Sequence, residues 1–432
     1  MSTPPPPPPR AQAAPPALTR SPFASETFTS ATFVTVGRGP LLALAAVWLL
    51  TRAGMLVLLV RDNLGIGGVA SEVYVLYRHW YGQFAQGTFP PGDVTWQYPP
   101  GAGLVIMAPG ALPWLTYFQA FVLLALVADA VVTAALARAD SARLTHGAWY
   151  WTLGLPLLLH IPLARYDVQT TAVAVLALLA LRSRSGLAHR FGGALAGLGA
   201  MVKVWPALTL IGTPRGRTTR EAWTAAAVTA AALLAVLAAL FAAPLGFLRQ
   251  QGDRGVQIES LGGTALALAK AAGGWSGSVQ FRYGAFEYVG PYVSTLGHLA
   301  LLLTAVAFIW LVFWRIRAHR WTEATPQDAA LAAVLLFTVT SRVISPQYLI
   351  WLLGLAAVCL TSRRTLMRPV AALLLPAAAL SALTYPVLYN DVVAGTWPAL
   401  AVLTARNLLL LAAALLAARR LWTATVAAPR EE

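Results

Sequence analysis

The chain has 432 residues, 58% hydrophobic and only 11% charged, far more apolar than a soluble domain. Its repeated apolar runs approach the ~20 residues that span a bilayer, which excludes a water-soluble fold and points to one polytopic membrane bundle. The formal net charge of +15 does not read as nucleic-acid binding, because the basic residues form no patch.

In chain order, "MSTPPPPPPRAQAAPPALTRSP" opens a proline-rich stretch, residues 1–38, that cannot build a core and reads as a disordered cytoplasmic tail. The first apolar run begins near residue 39 and is too long for the core of a signal peptide, so it reads as a membrane helix. Helices follow near 116–137, 147–163, 168–182, 190–203, 205–213, 222–244, 291–314, 328–344, 347–361, 368–388 and 397–418. Residues 39–418 therefore read as the membrane domain and 419–432 as a second cytoplasmic tail. The run "FGGALAGLGAMVKVWPALTLIG" is split at Lys203–Pro206, because proline removes a backbone donor and breaks or kinks a helix. Within it Gly193 and Gly197 form a small-xxx-small face suited to close packing. The single cysteine, Cys359, lies in an apolar run and reads as packing.

The split fixes the topology. Taken as two crossings with the N-terminus inside, it places 20 of the 31 basic residues on the cytoplasmic side, 9 outside and 2 within helices. Loops such as "RSRSGLAHR" (182–190), "PRGRTTR" (214–220) and "WRIRAHR" (314–320) become cytoplasmic anchors. The two longest loops, 61–115 and 245–290, then share the external side with the turns "ARYDVQ", "KVWP" and "SRVISPQY". A charge near a membrane core is costly unless paired or wetted, so these segments are where chemistry is sought. A carboxylate among guanidiniums is suited to activating a hydroxyl while a phosphate leaving group is held.

The order of features resembles glycosyltransferase family 87 (DUF2029-type) of the GT-C membrane enzymes, which includes mannosyltransferases that use polyprenyl-phosphate mannose. The resemblance rests on "SEVYVLY", "WQYPPG", "ARYDVQTTAVAVLALLAL", "GLGAMVKVWPAL", "RGVQIESLGG" and "ISPQYLIWLLGL", over roughly residues 40–362. It implies an all-α GT-C-type bundle of roughly 10–12 transmembrane helices, with short interfacial helices in the external loops. It also implies an inverting hexosyltransferase of the plasma membrane, with its termini inside and its active site outside. The donor would be a polyprenyl-phosphate sugar, mannose if it follows those mannosyltransferases, and the acceptor a lipid or glycan. No nucleic acid or further cofactor is implied; metal dependence and oligomeric state stay open.

Such enzymes use an acid of the first external loop as base. Glu72 stands where the family more often has aspartate, and its alternative role is to pair with Arg78 or cap a short interfacial helix. Asp93, among prolines and glycines, is the second candidate base or else a turn residue. Tyr98 begins the rigid "YPPG" segment. Arg165 and Asp167 would hold phosphate and sugar hydroxyls or a metal, or simply pair with each other. Lys203 and Arg342 would meet the phosphate, with snorkelling to the interface as the alternative for Lys203. Gln347 and Tyr348 occupy a position where relatives often carry histidine. Arg254 and Glu259 sit in "DRGVQIESLGG", whose glycines read as a mobile lid. Asp129, alone in its helix, reads as satisfied by a neighbouring helix. Rival functions are a transporter or flippase of a lipid-linked sugar, which would need matching broken helices in two halves, and a membrane glycan ligase or polymerase.

Overall fold

The computed structural model describes residues 2–3, 38–64, 68–90, 92–140, 145–248 and 254–427. Most of the expected tail at 1–38 and residues 428–432 lie outside the described residues. Among the described residues, six helices are long and apolar enough to cross a membrane: Gly39–Arg61, Tyr117–Ala139, Arg217–Leu240, Val293–Arg317, Arg368–Val387 and Trp397–Thr425. A helix satisfies every backbone polar group within its own segment, which is what lipid demands. The remaining expected crossings are shorter helices: His146–Gly154, Asp167–Leu181, Gly186–Val202, Thr325–Thr340 and Tyr348–Leu360. Several are completed by 3-10 turns with proline as their second residue, at Leu155–Leu158, Ile161–Ala164 and Trp205–Leu210. Tyr348–Leu360 is apolar and buried almost all round, the mark of a helix inside a bundle. The expected all-α polytopic bundle is therefore what the chain forms.

The break at Lys203 is present and returns the chain. The helix ends at Val202, Lys203 is extended, and the chain comes back as the short turn Trp205–Leu210 before Arg217–Leu240 begins. Gly193 lies on Ala222 and Gly197 on Ala226, so the two helices run parallel, which neighbours can do only if a return lies between them. A Cβ on Gly193 would sit 2.1 Å from the Ala222 carbonyl oxygen, so the small-residue face read from the sequence is in contact. A second break occurs at Leu383–Val387, where Tyr385 leaves helical geometry (φ −142°, ψ 126°).

Two boundaries are corrected. The last helix runs to Thr425 rather than ending at 418, because its final turns are tied down: the Thr425 carbonyl accepts from the backbone of His319 and Arg320, and Arg420 donates to the Leu366 carbonyl. The second long loop holds a sheet as well as a helix. Strands β1 (Val256–Gln257), β2 (Ser278–Arg282) and β3 (Ala285–Val289) pair antiparallel in the order β1-β3-β2. The hairpin register puts Arg282 opposite Ala285 across a Tyr283-Gly284 turn with both φ positive, the geometry that matches strand twist. Residues 254–263 are tied to the bundle in this structure. Gln257 donates its backbone N–H to the Arg342 carbonyl, its side-chain oxygen accepts from Ile344, and Ser260 caps the helix Leu261–Ala271. Gly263 serves close approach instead, since a Cβ there would lie 2.3 Å from the Gln257 carbonyl oxygen.

Candidate active site

Both long loops lie at one end of the bundle and enclose a cavity of about 790 Å³. Nine of the residues picked from the sequence line it: Glu72, Tyr98, Arg165, Lys203, Arg254, Glu259, Arg342, Gln347 and Tyr348. Asp167 lies directly behind Lys203, and Asp93 is apart from the lining.

Glu72 opens a π-helical turn, Glu72–Tyr77, that continues into the helix Arg78–Ala85. Such wide turns recur at functional sites because they re-aim a side chain. The turn is anchored by Tyr77, buried against Trp80, Phe121 and Tyr166. The Glu72 carboxylate is 26% exposed and stands 3.5 Å from the Arg165 guanidinium. Arg165 in turn donates to the carbonyls of Val69 and Ala164. Burial, the largest influence, works against the charge of Arg165, but Glu72 and the nearby Tyr385, Tyr77 and Tyr98 together outweigh it and hold the guanidinium protonated. Arg78 is not the partner of Glu72: it lies over the rings of Tyr81 and Tyr117.

Arg165 and Asp167 do not pair with each other. Asp167 Oδ1 accepts from the Lys203 ammonium at 2.7 Å and from the Trp351 indole N–H at 2.5 Å, and both charged side chains are buried. Lys203 therefore does not snorkel, and its ammonium is shared with a buried carboxylate. Asp167 is 1% exposed and outside the cavity lining. Among the described residues no group of three or more His, Cys, Asp or Glu has the arrangement of a metal site.

The opposite wall carries Arg254 and Arg342. Arg254 pairs with Glu287 at 3.1 Å and donates to the Gln97 side chain, while Arg342 donates to the Arg254 carbonyl at 2.7 Å. Burial, followed by the nearby charge of Arg254, pulls the Arg342 guanidinium below its ordinary value. Both arginines line the cavity, where a guanidinium is suited to meeting an anion. Glu259 is held from the last span by Arg406, whose Nη2 lies 3.1 Å from its carboxylate, and by the Gln257 amide at the same distance. Burial pushes the Glu259 carboxyl up to about 7 against the pull of Arg406.

Asp93 is the turn residue that its neighbours suggested. Its carboxylate accepts from the Trp80 indole and from the backbone and hydroxyl of Thr95. Burial alone would raise its pKa, but these bonds hold it below the ordinary carboxylate value. Asp129 is met by Arg52 of the first span at 2.7 Å and by the Trp151 indole, as expected of a lone acid in a helix. Sequence reasoning passes over Arg406, although a lone charge in a span is the signal that singles out Asp129. Trp351 and Tyr385 also line the cavity, and nothing in the sequence distinguishes them from packing aromatics.

No curated protein matches the chain. Among solved structures, the crystal structure of ArnT from Cupriavidus metallidurans bound to undecaprenyl phosphate is similar, with a TM-score of 0.46 and 14% identity over 88% of this chain and 77% of that one. The model of glycosyltransferase family 87 matches residues 96–346, more than half of the chain. The chain belongs to glycosyltransferase family 87.

Proposed function

We propose that the chain is an inverting glycosyltransferase that moves a hexose, mannose first among the candidates, from a polyprenyl phosphate to a lipid or glycan hydroxyl at the outer side of the plasma membrane. Glu72 takes the proton of the acceptor hydroxyl. The acceptor oxygen bonds to the anomeric carbon as the opposite C–O bond breaks, and its electron pair leaves on the polyprenyl phosphate. Arg254 and Arg342 meet that phosphate, while Arg165, 3.5 Å from the carboxylate, holds Glu72 in place.

The observation that carries this reading is the contrast between the two acids of the cavity lining. Glu72 is 26% exposed with one guanidinium beside it, whereas Glu259 is 2% exposed and saturated from behind. A base must reach a proton, and only Glu72 has room to do so. The break at Leu383–Val387 is a second interrupted helix, so helix breaks do not separate a transporter from a transferase here. Family membership now favours transfer over transport.

The test is transfer from labelled polyprenyl-phosphate mannose and glucose by the purified protein in detergent, repeated with Glu72→Gln. The reading expects single-hexose transfer that the variant loses. Undiminished transfer by Glu72→Gln removes Glu72 as base. Lipid movement across vesicles without transfer establishes the flippase, and transfer of a preassembled oligosaccharide establishes the ligase.

A further inference from the structure

Trp351 is the centre of an arrangement that phosphate chemistry does not require. Its ring stacks with Tyr348 at 4.1 Å and 21°, and with Trp205 at 5.2 Å and 20°; all three residues line the cavity. Its indole N–H is pinned by Asp167 Oδ1, the same oxygen that takes the Lys203 ammonium. That ammonium lies 4.5 Å from the centre of the Tyr166 ring, 5.2 Å from Trp351 and 5.4 Å from Tyr98. An indole stacked with two rings and tethered at its nitrogen has one orientation. Because Asp167 and Lys203 are both buried, water does not weaken the tether.

Tyr348 is the more exposed member of its stack with Trp351, and Trp351 is the one ring stacked on it among the described residues. Gln347, beside it in the chain, also lines the cavity and offers an amide donor and acceptor. A hexopyranose presents a patch of polarised C–H bonds on one face and hydroxyls around its edge. The first suits the electron-rich face of an aromatic ring, and the second suits an amide.

Resting on the glycosyltransferase reading of the cavity, we propose that Tyr348 is the stacking subsite for the hexose ring of the donor, with Gln347 at a ring hydroxyl. Asp167 and Lys203 are a positioning pair that sets the tilt of this platform through Trp351. On this assignment the lysine acts on the sugar through an aromatic ring and does not touch the phosphate.

The test compares binding of two probes, undecaprenyl phosphate and undecaprenyl-phosphate mannose, to the full chain in detergent. Tyr348→Leu is expected to weaken the sugar-bearing lipid by roughly 3- to 10-fold, the scale of one aromatic stack, and to leave the sugar-free lipid unchanged. Tyr348→Phe keeps the ring and restores binding. Lys203→Met and Asp167→Leu weaken only the sugar-bearing probe, and Asp167→Asn, which can still accept from the Trp351 indole, restores part of the loss. Retained binding of the sugar-free lipid also shows that each variant is folded. Equal weakening of both probes by Tyr348→Leu, or loss of the sugar-free lipid in Lys203→Met, overturns the assignment while leaving the donor reading intact. Failure of the native chain to bind either lipid overturns both.

Discussion

Two arginine–carboxylate pairs of this membrane domain differ in how far their polar atoms are satisfied. Arg52 and Asp129 meet through two short bonds, and the remaining capacity is taken by the Trp151 indole and the Thr152 carbonyl, with both side chains at most 2% exposed. Arg165 and Glu72 meet at 3.5 Å, and the carboxylate is partly open to a cavity. Both would be flagged as intramembrane charge. Burial alone therefore does not mark function: a saturated pair holds helices together, whereas an unsaturated one beside a cavity retains capacity for a substrate.

Substitutions separate the two pairs. Glu72→Gln is expected to lower transfer by ~10²–10⁴-fold, the usual weight of a general base, with the melting temperature in detergent unchanged; a variant that unfolds instead would place Glu72 with the structural pair. Asp129→Asn leaves Arg52 without its counter-charge and is expected to cost about 3–5 kcal/mol of stability, read as a large fall in melting temperature. The Arg52→Leu, Asp129→Leu double variant should be more stable than either single change.

The Glu259–Arg406 pair is an intermediate case, since Glu259 lines the cavity yet is 2% exposed and has a partner at each carboxylate oxygen. With its carboxyl pushed up to about 7, the folded chain keeps a proton that an unfolded glutamate releases near ~4.3. Its contribution to stability is therefore full below about 4.3 and is lost as pH rises to about 7, a change on the order of 3 kcal/mol. Glu259→Gln is expected to flatten the melting temperature between pH 5 and 8. The smallest effect belongs to Arg342→Ala, which removes one charged contact worth about 1.5–3 kcal/mol and should raise KM for the donor ~10- to 100-fold with stability nearly unchanged.

Much of the bundle is legible in the sequence because a run such as "YLIWLLGLAAVCL" permits only a helix in lipid, and Pro206 announces the return at Lys203. The first-loop acid is legible from its place before "VYVLY". The pairings are not. Glu72 meets Arg165, and Glu259 meets Arg406, across long stretches of chain that leave no local pattern. For this reason the sequence alone points Lys203 at a phosphate when its partner is Asp167. The strands of the second loop escape notice because "SVQFRYGAFEYV" is short and its turn, Tyr283-Gly284, is not among the strongest hairpin dipeptides.

Cys359 is the one cysteine of the chain and is fully buried. The native protein is thus silent toward a membrane-impermeant maleimide, and any thiol added to its surface reports alone. Phe281→Cys on the exposed hairpin and Arg363→Cys at the other end of the bundle are both solvent-accessible positions. Labelling in intact cells is expected at the first and not at the second; the reverse would turn the whole molecule over in its bilayer.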